Sequence, residues 1–278
     1  MLDELFELSG GTTIGRDHIF SRKPNQDAHL FAARPSLLAG VVCDGCGDPT
    51  SPHSEVGAQI AARTLLSNLF SVPRIDRDWL EIIRQHSLAT IESLAQEMCG
   101  QQFGCRSEKD PRPQLHHILR DYFLFTVIGF AVTPEKAWFF SIGDGTLWVN
   151  GEQTRIGPFE NNAPPYMTYA LMDSSLLTKE TGCLKFQVRK ELPTEQLEHF
   201  LIGCDGVQEL ADKETELLPN RKGYVGNISS FWSDDKHFSN PDMINRKLFL
   251  INREFSSNEG HYHGLLRDDT TMVVGRRK

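Results

Sequence analysis

Three times in this chain a short apolar run stops at an Asp-Gly pair: Val41-Val42-Cys43 before Asp44-Gly45, Phe139-Phe140-Ser141-Ile142-Gly143 before Asp144-Gly145, and Leu201-Ile202-Gly203-Cys204 before Asp205-Gly206. Runs of this length predict buried strands, and the glycine lets the backbone turn sharply beside each carboxylate. Asp268-Asp269 adds a fourth acidic position directly before another predicted strand, Thr270–Val274. One Asp-Gly pair is an ordinary turn. Repetition after buried strands instead predicts carboxylates gathered at one sheet edge, where mutual repulsion raises their pKa values unless a hard divalent cation holds them ionised. Oxygen donors without convergent His or Cys suit Mg²⁺ or Mn²⁺ better than Zn²⁺ or Cu²⁺.

Around these stops the pattern predicts strands at Gly10–Gly15, Asp27–Phe31 and Leu37–Cys43, then a helix from Ser54 with Val56, Ile60, Leu65, Leu66 and Phe70 at helical spacing. Ser54 is the expected cap, with Glu55 near the helix N-terminal dipole. A second helix is expected over Asp76–Met98, with Trp79, Ile82, Ile83, Leu88, Ile91 and Leu94 on its apolar face. Segment 100–113 reads as a connection. Phe123–Thr133, Ala137–Ile142 and Thr146–Val149 then read as an antiparallel meander, followed by a surface excursion over 151–181. Strands at Leu184–Arg189 and Phe200–Cys204, a helix after Asp205-Gly206, another over Asp242–Phe255, and a closing strand at Thr270–Val274 complete the order. Strand runs alternating with helix pairs predict an α+β fold: a four-layer α-β-β-α sandwich of two antiparallel sheets with helix pairs outside, forming one domain over residues 1–278.

Composition enters as exclusion. With 29 basic and 37 acidic side chains the chain carries −8, which argues against a dedicated nucleic-acid binder. The longest apolar stretch, Tyr122–Val132, is 11 residues, too short to span a bilayer as a helix. The beginning, Met1-Leu-Asp-Glu-Leu-Phe-Glu-Leu, lacks the basic flank of a secretory signal, so a cytoplasmic location is expected, with no membrane partner. Six cysteines include one Cys43-x-x-Cys46 with no second pair to complete a zinc site, and read as reduced thiols.

Five segments, in order, carry a family resemblance: Arg22-Lys-Pro-Asn-Gln-Asp27-Ala, Val42-Cys-Asp44-Gly45, Ser141-Ile-Gly-Asp144-Gly, Gly203-Cys-Asp205-Gly206-Val and Arg267-Asp268-Asp269-Thr-Thr. They resemble the signature segments of the metal-dependent serine/threonine protein phosphatases of type 2C, over about residues 10–276. The resemblance implies that Asp44 bridges two divalent metals, Mn²⁺ or Mg²⁺, with the Gly45 carbonyl completing one shell and Asp205 and Asp268 binding the other ion. Asp27 would act directly or through water, Asp144 with Asp205 would offer a third site, and Arg22 would grip the phosphate. It further implies phosphoprotein substrates and a cognate serine/threonine kinase as partners. Two cations a few Å apart lower the pKa of a bridging water, and the resulting hydroxide attacks phosphorus in line with no covalent phosphoenzyme.

Two positions depart from the family pattern. Gln26 stands where many relatives have Glu, which removes a negative charge beside the metal ligands. Cys46 stands where animal members have a histidine, so the leaving group lacks its obvious proton donor; nearby His53 reads as a surface residue. Segment 206–267 says little about substrate.

Competing readings fit less well. Asp44–Glu55 lacks the glycine of a calcium loop, and no phosphate-binding loop of the Gly-x4-Gly-Lys kind is present. A two-metal nuclease is disfavoured by the acidic charge. His116-His117 and His261-x-His263 read as exposed or hydrogen-bonded histidines. The alternative from another class is a catalytically inactive phosphatase-like module that binds a phosphoprotein or scaffolds signalling.

Overall fold

The computed structural model describes residues 1–72, 75, 78–103, 112–172, 184–258 and 260–278. The strands are β1 (Phe6–Thr13), β2 (Asp27–Arg34), β3 (Leu37–Gly45), β4 (Phe125–Val132), β5 (Lys136–Ile142), β6 (Gly145–Val149), β7 (Glu152–Ile156), β8 (Gln187–Pro193), β9 (His199–Gly203), β10 (Phe255–Ser257), β11 (Gly260–Tyr262) and β12 (Thr270–Arg277). The helices are α1 (Leu2–Leu5), α2 (Arg16–Ser21), α3 (Ser54–Ser71), α4 (Trp79–Phe103), α5 (Arg112–Tyr122), α6 (Gly206–Asp212), α7 (Ser230–Ser233), α8 (Lys236–Ser239) and α9 (Met243–Asn252).

Two five-stranded antiparallel sheets form, ordered β2-β3-β4-β5-β8 and β1-β12-β9-β6-β7, with β10-β11 a separate hairpin. Period-two alternation divides each central strand between two cores. On β3, Leu38 and Val42 join Phe130, Phe139, Phe200 and Val273 between the sheets, whereas Ala39, Val41 and Cys43 face α3 and α4. Phe200 anchors the first core, with its ring 4.6 Å from Phe130 and 5.3 Å from Phe139. Helices α3, α4 and α5 cover one sheet, and α6 and α9 pack on the other. The expected sandwich is therefore the observed architecture.

Several local expectations change. The meander breaks at Gly143-Asp144-Gly145: β4 and β5 pair, but β6 belongs to the other sheet, beside β9. The chain crosses there because Gly143 and Gly145 adopt φ 87° and 139°, which a side chain would strain. The strand expected to close a sheet, β12, lies between β1 and β9. Part of the expected excursion is strand β7, paired with β6, and the strand expected at Leu184–Arg189 runs instead over Gln187–Pro193. Residues 104–111 and 173–183, including Cys105 and Cys183, lie outside the described residues.

Helix α3 buries a stripe of small residues, Gly57, Ala58, Ala61 and Ala62, together with Leu65 and Leu69, while Ile60, Leu66 and Phe70 sit at its margins. Small side chains let the helix approach its neighbours closely; at the margin Leu66 and Phe70 line a groove with Leu30, Ala32 and Arg34 of β2, and the Arg34 guanidinium lies 4.3 Å from the Phe70 ring. Ile82 on α4 is exposed, although its spacing placed it on the apolar face. Ser54 does not cap α3. Its hydroxyl, fully buried, donates to the Cys46 carbonyl at 2.9 Å and accepts from Gln26 Nε2 at 2.7 Å, so the helix start is used to hold the loop after β3.

Candidate metal centre

The three Asp-Gly stops and Asp268 arrive at one place because the strands that carry them end at the same edge of the sandwich. Asp44, Asp144, Asp205 and Asp268 line a single cavity of about 390 Å³, together with Gly45, Cys46, Thr126 and Tyr166. Asp27 lies beneath it, 6% exposed, as the register partner of Asp44 across β2 and β3. Ligand atoms of Asp27, Asp44 and Cys204 lie within 4.8 Å of one another. Asp144 is carried by the crossover between sheets, Asp205 sits at the N-terminus of α6 without spending its side chain on a cap, and Asp268 lies just ahead of β12 with Asp269 between them. Asp144 and Asp205 also share a smaller recess of about 140 Å³.

Electrostatically the group is frustrated. Burial, then the charges of Asp269 and Asp268, pushes Asp27 up to about 8. Burial, then Asp27, Asp205, Asp268 and Asp144, holds Asp44 well above the ordinary carboxylate range. Burial and Asp268 raise Asp205 to about 7, and burial raises Asp144 to about 6. Burial raises Asp268 too, although its side chain is 58% exposed and solvent screens it more than its neighbours.

These residues fit a hard divalent cation. Among the described residues no basic side chain lines the cavity, and Asp27 Oδ2 is buried with no hydrogen-bond partner. A cation supplies the missing charge and the missing partner together. Cys204 does not fit as a ligand: burial holds its thiol protonated, and its sulfur is engaged with the Thr271 amide at 3.1 Å and the Asp269 carbonyl at 3.4 Å.

The remaining predicted positions divide. Arg22 ends α2 at φ 58°, exposed, and does not line the cavity; among the described residues its side chain makes no hydrogen bond or ion pair. Gln26 is 1% exposed and its side chain works as a donor: Nε2 reaches Ser54 and, at 3.4 Å, the Cys46 carbonyl, while the Gln26 backbone carbonyl accepts the Gly45 amide at 3.1 Å. It therefore props the loop from below. His53 is half exposed, stacked on Tyr122 at 4.9 Å, and outside the cavity. His261 and His263 gather with Glu254 on the exposed β10-β11 hairpin, away from these carboxylates, with His261 Nδ1 2.8 Å from Ser256 Oγ.

Three contributors escape sequence reading. Asp269, 3% exposed, accepts the Gly15 and Gln26 amides, each at 2.6 Å, and meets His18 Nδ1 at 2.9 Å. His18 is raised by that bond, and its Nε2 lies 3.9 Å from Asp268. The Asp-Asp pair thus splits, one member facing the cavity and one tying α2 and β2 to β12. Tyr166 is the third: it walls the cavity beside Cys46 and Asp44, and burial pushes its phenol above its ordinary range. The doubled aspartate before a buried strand is the available signal for Asp269; nothing near His18 points to its role, and Tyr166 comes from a segment with no periodicity.

The family model for protein phosphatase 2C matches residues 14–237. A comparison with curated proteins finds no match. Among solved structures, a variant of a bacterial serine phosphatase superposes with a TM-score of 0.54 at 14% identity, covering 98% of each chain. The serine/threonine phosphatase Stp1 from Staphylococcus aureus gives 0.51 at 14% identity, covering 99% of this chain and 96% of that one. At such identity these likenesses concern the fold. The family match is of a different order, since it takes in the first three acidic strand ends and their helices, and by it the chain belongs to the protein phosphatase 2C family.

Proposed function

We propose that the protein hydrolyses phosphoserine and phosphothreonine in other proteins, with Asp44, the Gly45 carbonyl, Asp205, Asp268 and Asp27 holding Mn²⁺ or Mg²⁺, Asp144 with Asp205 able to hold a further ion, and Arg22 meeting the phosphoryl group. The observation that carries the reading is the orphaned, buried Asp27 Oδ2 beneath a cavity lined by Asp44, Asp48, Asp144, Asp205 and Asp268, with no cationic side chain lining it among the described residues. When bound, the cations supply a water of lowered pKa and positive charge for the phosphoryl oxygens.

The chain's own residues do the rest. The β2-β3 register fixes Asp27 against Asp44. Buried Asp269 anchors the turn that presents Asp268. Tyr166, neutral and 7% exposed, walls one side against water. Arg22, exposed and uncommitted, is available to a phosphoryl group arriving from solvent, and its planar fork suits two oxygens. No cysteine nucleophile is needed, and the buried thiols of Cys43 and Cys204 are pushed upward and stay protonated. The rival reading, a binding module, leaves the crowded carboxylates without a physical use.

A single phosphatase domain over residues 1–278 is supported by strands that share one core between the sheets. A cytoplasmic location and a partnering kinase belong to the same proposal; among the described residues no helix is long and apolar enough to cross a membrane. Turnover of p-nitrophenyl phosphate and of a phosphothreonine peptide, with and without Mn²⁺, tests the reading. Metal-dependent release that falls by at least about a hundredfold in Asp44→Asn is expected. No metal-dependent release, or full activity in that variant, sinks it.

A further inference from the structure

On the far side of the Gly143–Gly145 crossover lies a second cavity, of about 400 Å³, lined by Arg155, Lys185 and Arg189 with Ser141, Gly157 and Pro158, and by no acidic side chain among the described residues. In a chain of net charge −8 this is a local reversal of sign. It also lies next to the acidic cavity. The 140 Å³ recess that takes Asp144, Asn162 and Asp205 from one side takes Arg155, Ile156 and Pro158 from the other. Gly157 is the thin point of the wall: a Cβ placed there would lie 3.0 Å from the Cβ of Asp144.

Two of the cations are placed by the sheets that carry them. Arg155 is fixed opposite Thr146 by the β6-β7 register, and Arg189 Nε donates to Ser141 Oγ at 2.9 Å. Arg155 is exposed and, among the described residues, makes no hydrogen bond or ion pair. Like charges held around one cavity repel each other, and an anion that enters relieves the repulsion.

We propose that this basic recess holds an anionic side chain of the substrate, a carboxylate or a second phosphate a few residues from the phosphoserine or phosphothreonine being hydrolysed. The inference rests on the phosphatase reading and deepens it by naming a substrate class: phosphopeptides with acidic flanks. A peptide whose phosphorylated residue enters the acidic cavity brings its neighbouring residues close to Arg155, which lines the small recess together with Asp144 and Asp205.

The test compares kcat/KM for a phosphothreonine peptide with neutral flanks, the same peptide with glutamates on either side, one with a second phosphoserine, and one with lysine flanks. A preference of about tenfold for the anionic peptides is expected at low salt, shrinking at high salt, since exposed ion pairs are individually weak and screened. The glutamate and phosphoserine arms tell the two anion sources apart. Arg155→Glu should invert the order in favour of lysine flanks, a gain that misfolding cannot imitate. Equal turnover of all peptides by the wild type overturns the recess and leaves the phosphatase standing. In Asp44→Asn, fluorescence anisotropy reads binding of the same peptides without turnover. Discrimination there with an inactive wild type keeps the recess and sinks the hydrolase; equal binding there with an inactive wild type overturns both.

Discussion

Asp27 and Asp44 are register partners in the β2-β3 ladder, two carboxylates held side by side by backbone pairing with no cationic side chain among the described residues lining the cavity above them. The ladder is made of groups that cannot move apart without breaking strand pairing. Their repulsion is therefore built into the fold and must be relieved by protons or by metal.

That relation sets the pH dependence of the metal-free protein. Asp27 at about 8, Asp205 at about 7 and Asp144 at about 6 all lie above the unfolded carboxylate value near 4, so the native state binds more protons than the unfolded one in between. Stability from these groups is present below about pH 4 and lost as pH rises through 6 to 8. Thermal unfolding in EDTA should thus give a lower Tm at pH 8.5 than at pH 5.5, and saturating Mn²⁺ should remove the difference. A Tm that rises with pH in EDTA would contradict the arrangement.

Asp269 should matter more for folding than for metal binding. It is 3% exposed and accepts two backbone amides besides meeting His18. Asp269→Ala leaves those amides unpaired and is expected to cost about 3–5 kcal/mol, measured by urea unfolding. Asp269→Asn keeps one acceptor oxygen and should lose less than half as much.

Gln26→Glu tests why an amide stands at this position. Gln26 donates to the Ser54 hydroxyl and the Cys46 carbonyl; an ionised Glu donates nothing and would face the Cys46 carbonyl oxygen. A loss of about 1–3 kcal/mol is expected at pH 8 and a smaller one at pH 5, where the Glu is protonated. Equal stability of both proteins at pH 8 would mean that the loop after β3 does not depend on this donor.

What was legible in the sequence was whatever a short window contains. Apolar runs ending in Asp-Gly located Asp44, Asp144 and Asp205, and the sandwich followed from the order of strands and helices. Partners far apart in the chain were not legible: His18 and Asp269 are separated by 251 positions, and neither stands out alone. The sheet change at Gly143-Asp144-Gly145 looks like a hairpin in the sequence because the same two glycines serve either turn, and only the packing of β6 beside β9 decides between them. The contact face of α3 is only partly visible in its periodicity, which includes Leu65 but not the small residues beside it. Large apolar residues carry the periodicity, whereas close approach selects Gly57, Ala58, Ala61 and Ala62.

Gly143 offers a test of how tightly that crossover is built. It holds φ 87°, and a Cβ there would lie 2.5 Å from the Thr126 side chain, on the strand that pairs with Asp44. Gly151 holds a similar φ of 82° at the exposed β6-β7 turn, with nothing within 4 Å of its would-be Cβ. Gly151→Ala therefore measures the backbone term alone, about 1 kcal/mol. Gly143→Ala adds a steric clash against a buried strand and should cost about 2–4 kcal/mol in all. Because relieving that clash pushes Asp144 away from Thr126, Mn²⁺ titration should also show weakened binding in Gly143→Ala and unchanged binding in Gly151→Ala. Equal losses of stability in the two variants would mean that the crossover has room to relax and that Asp144 is not held by packing.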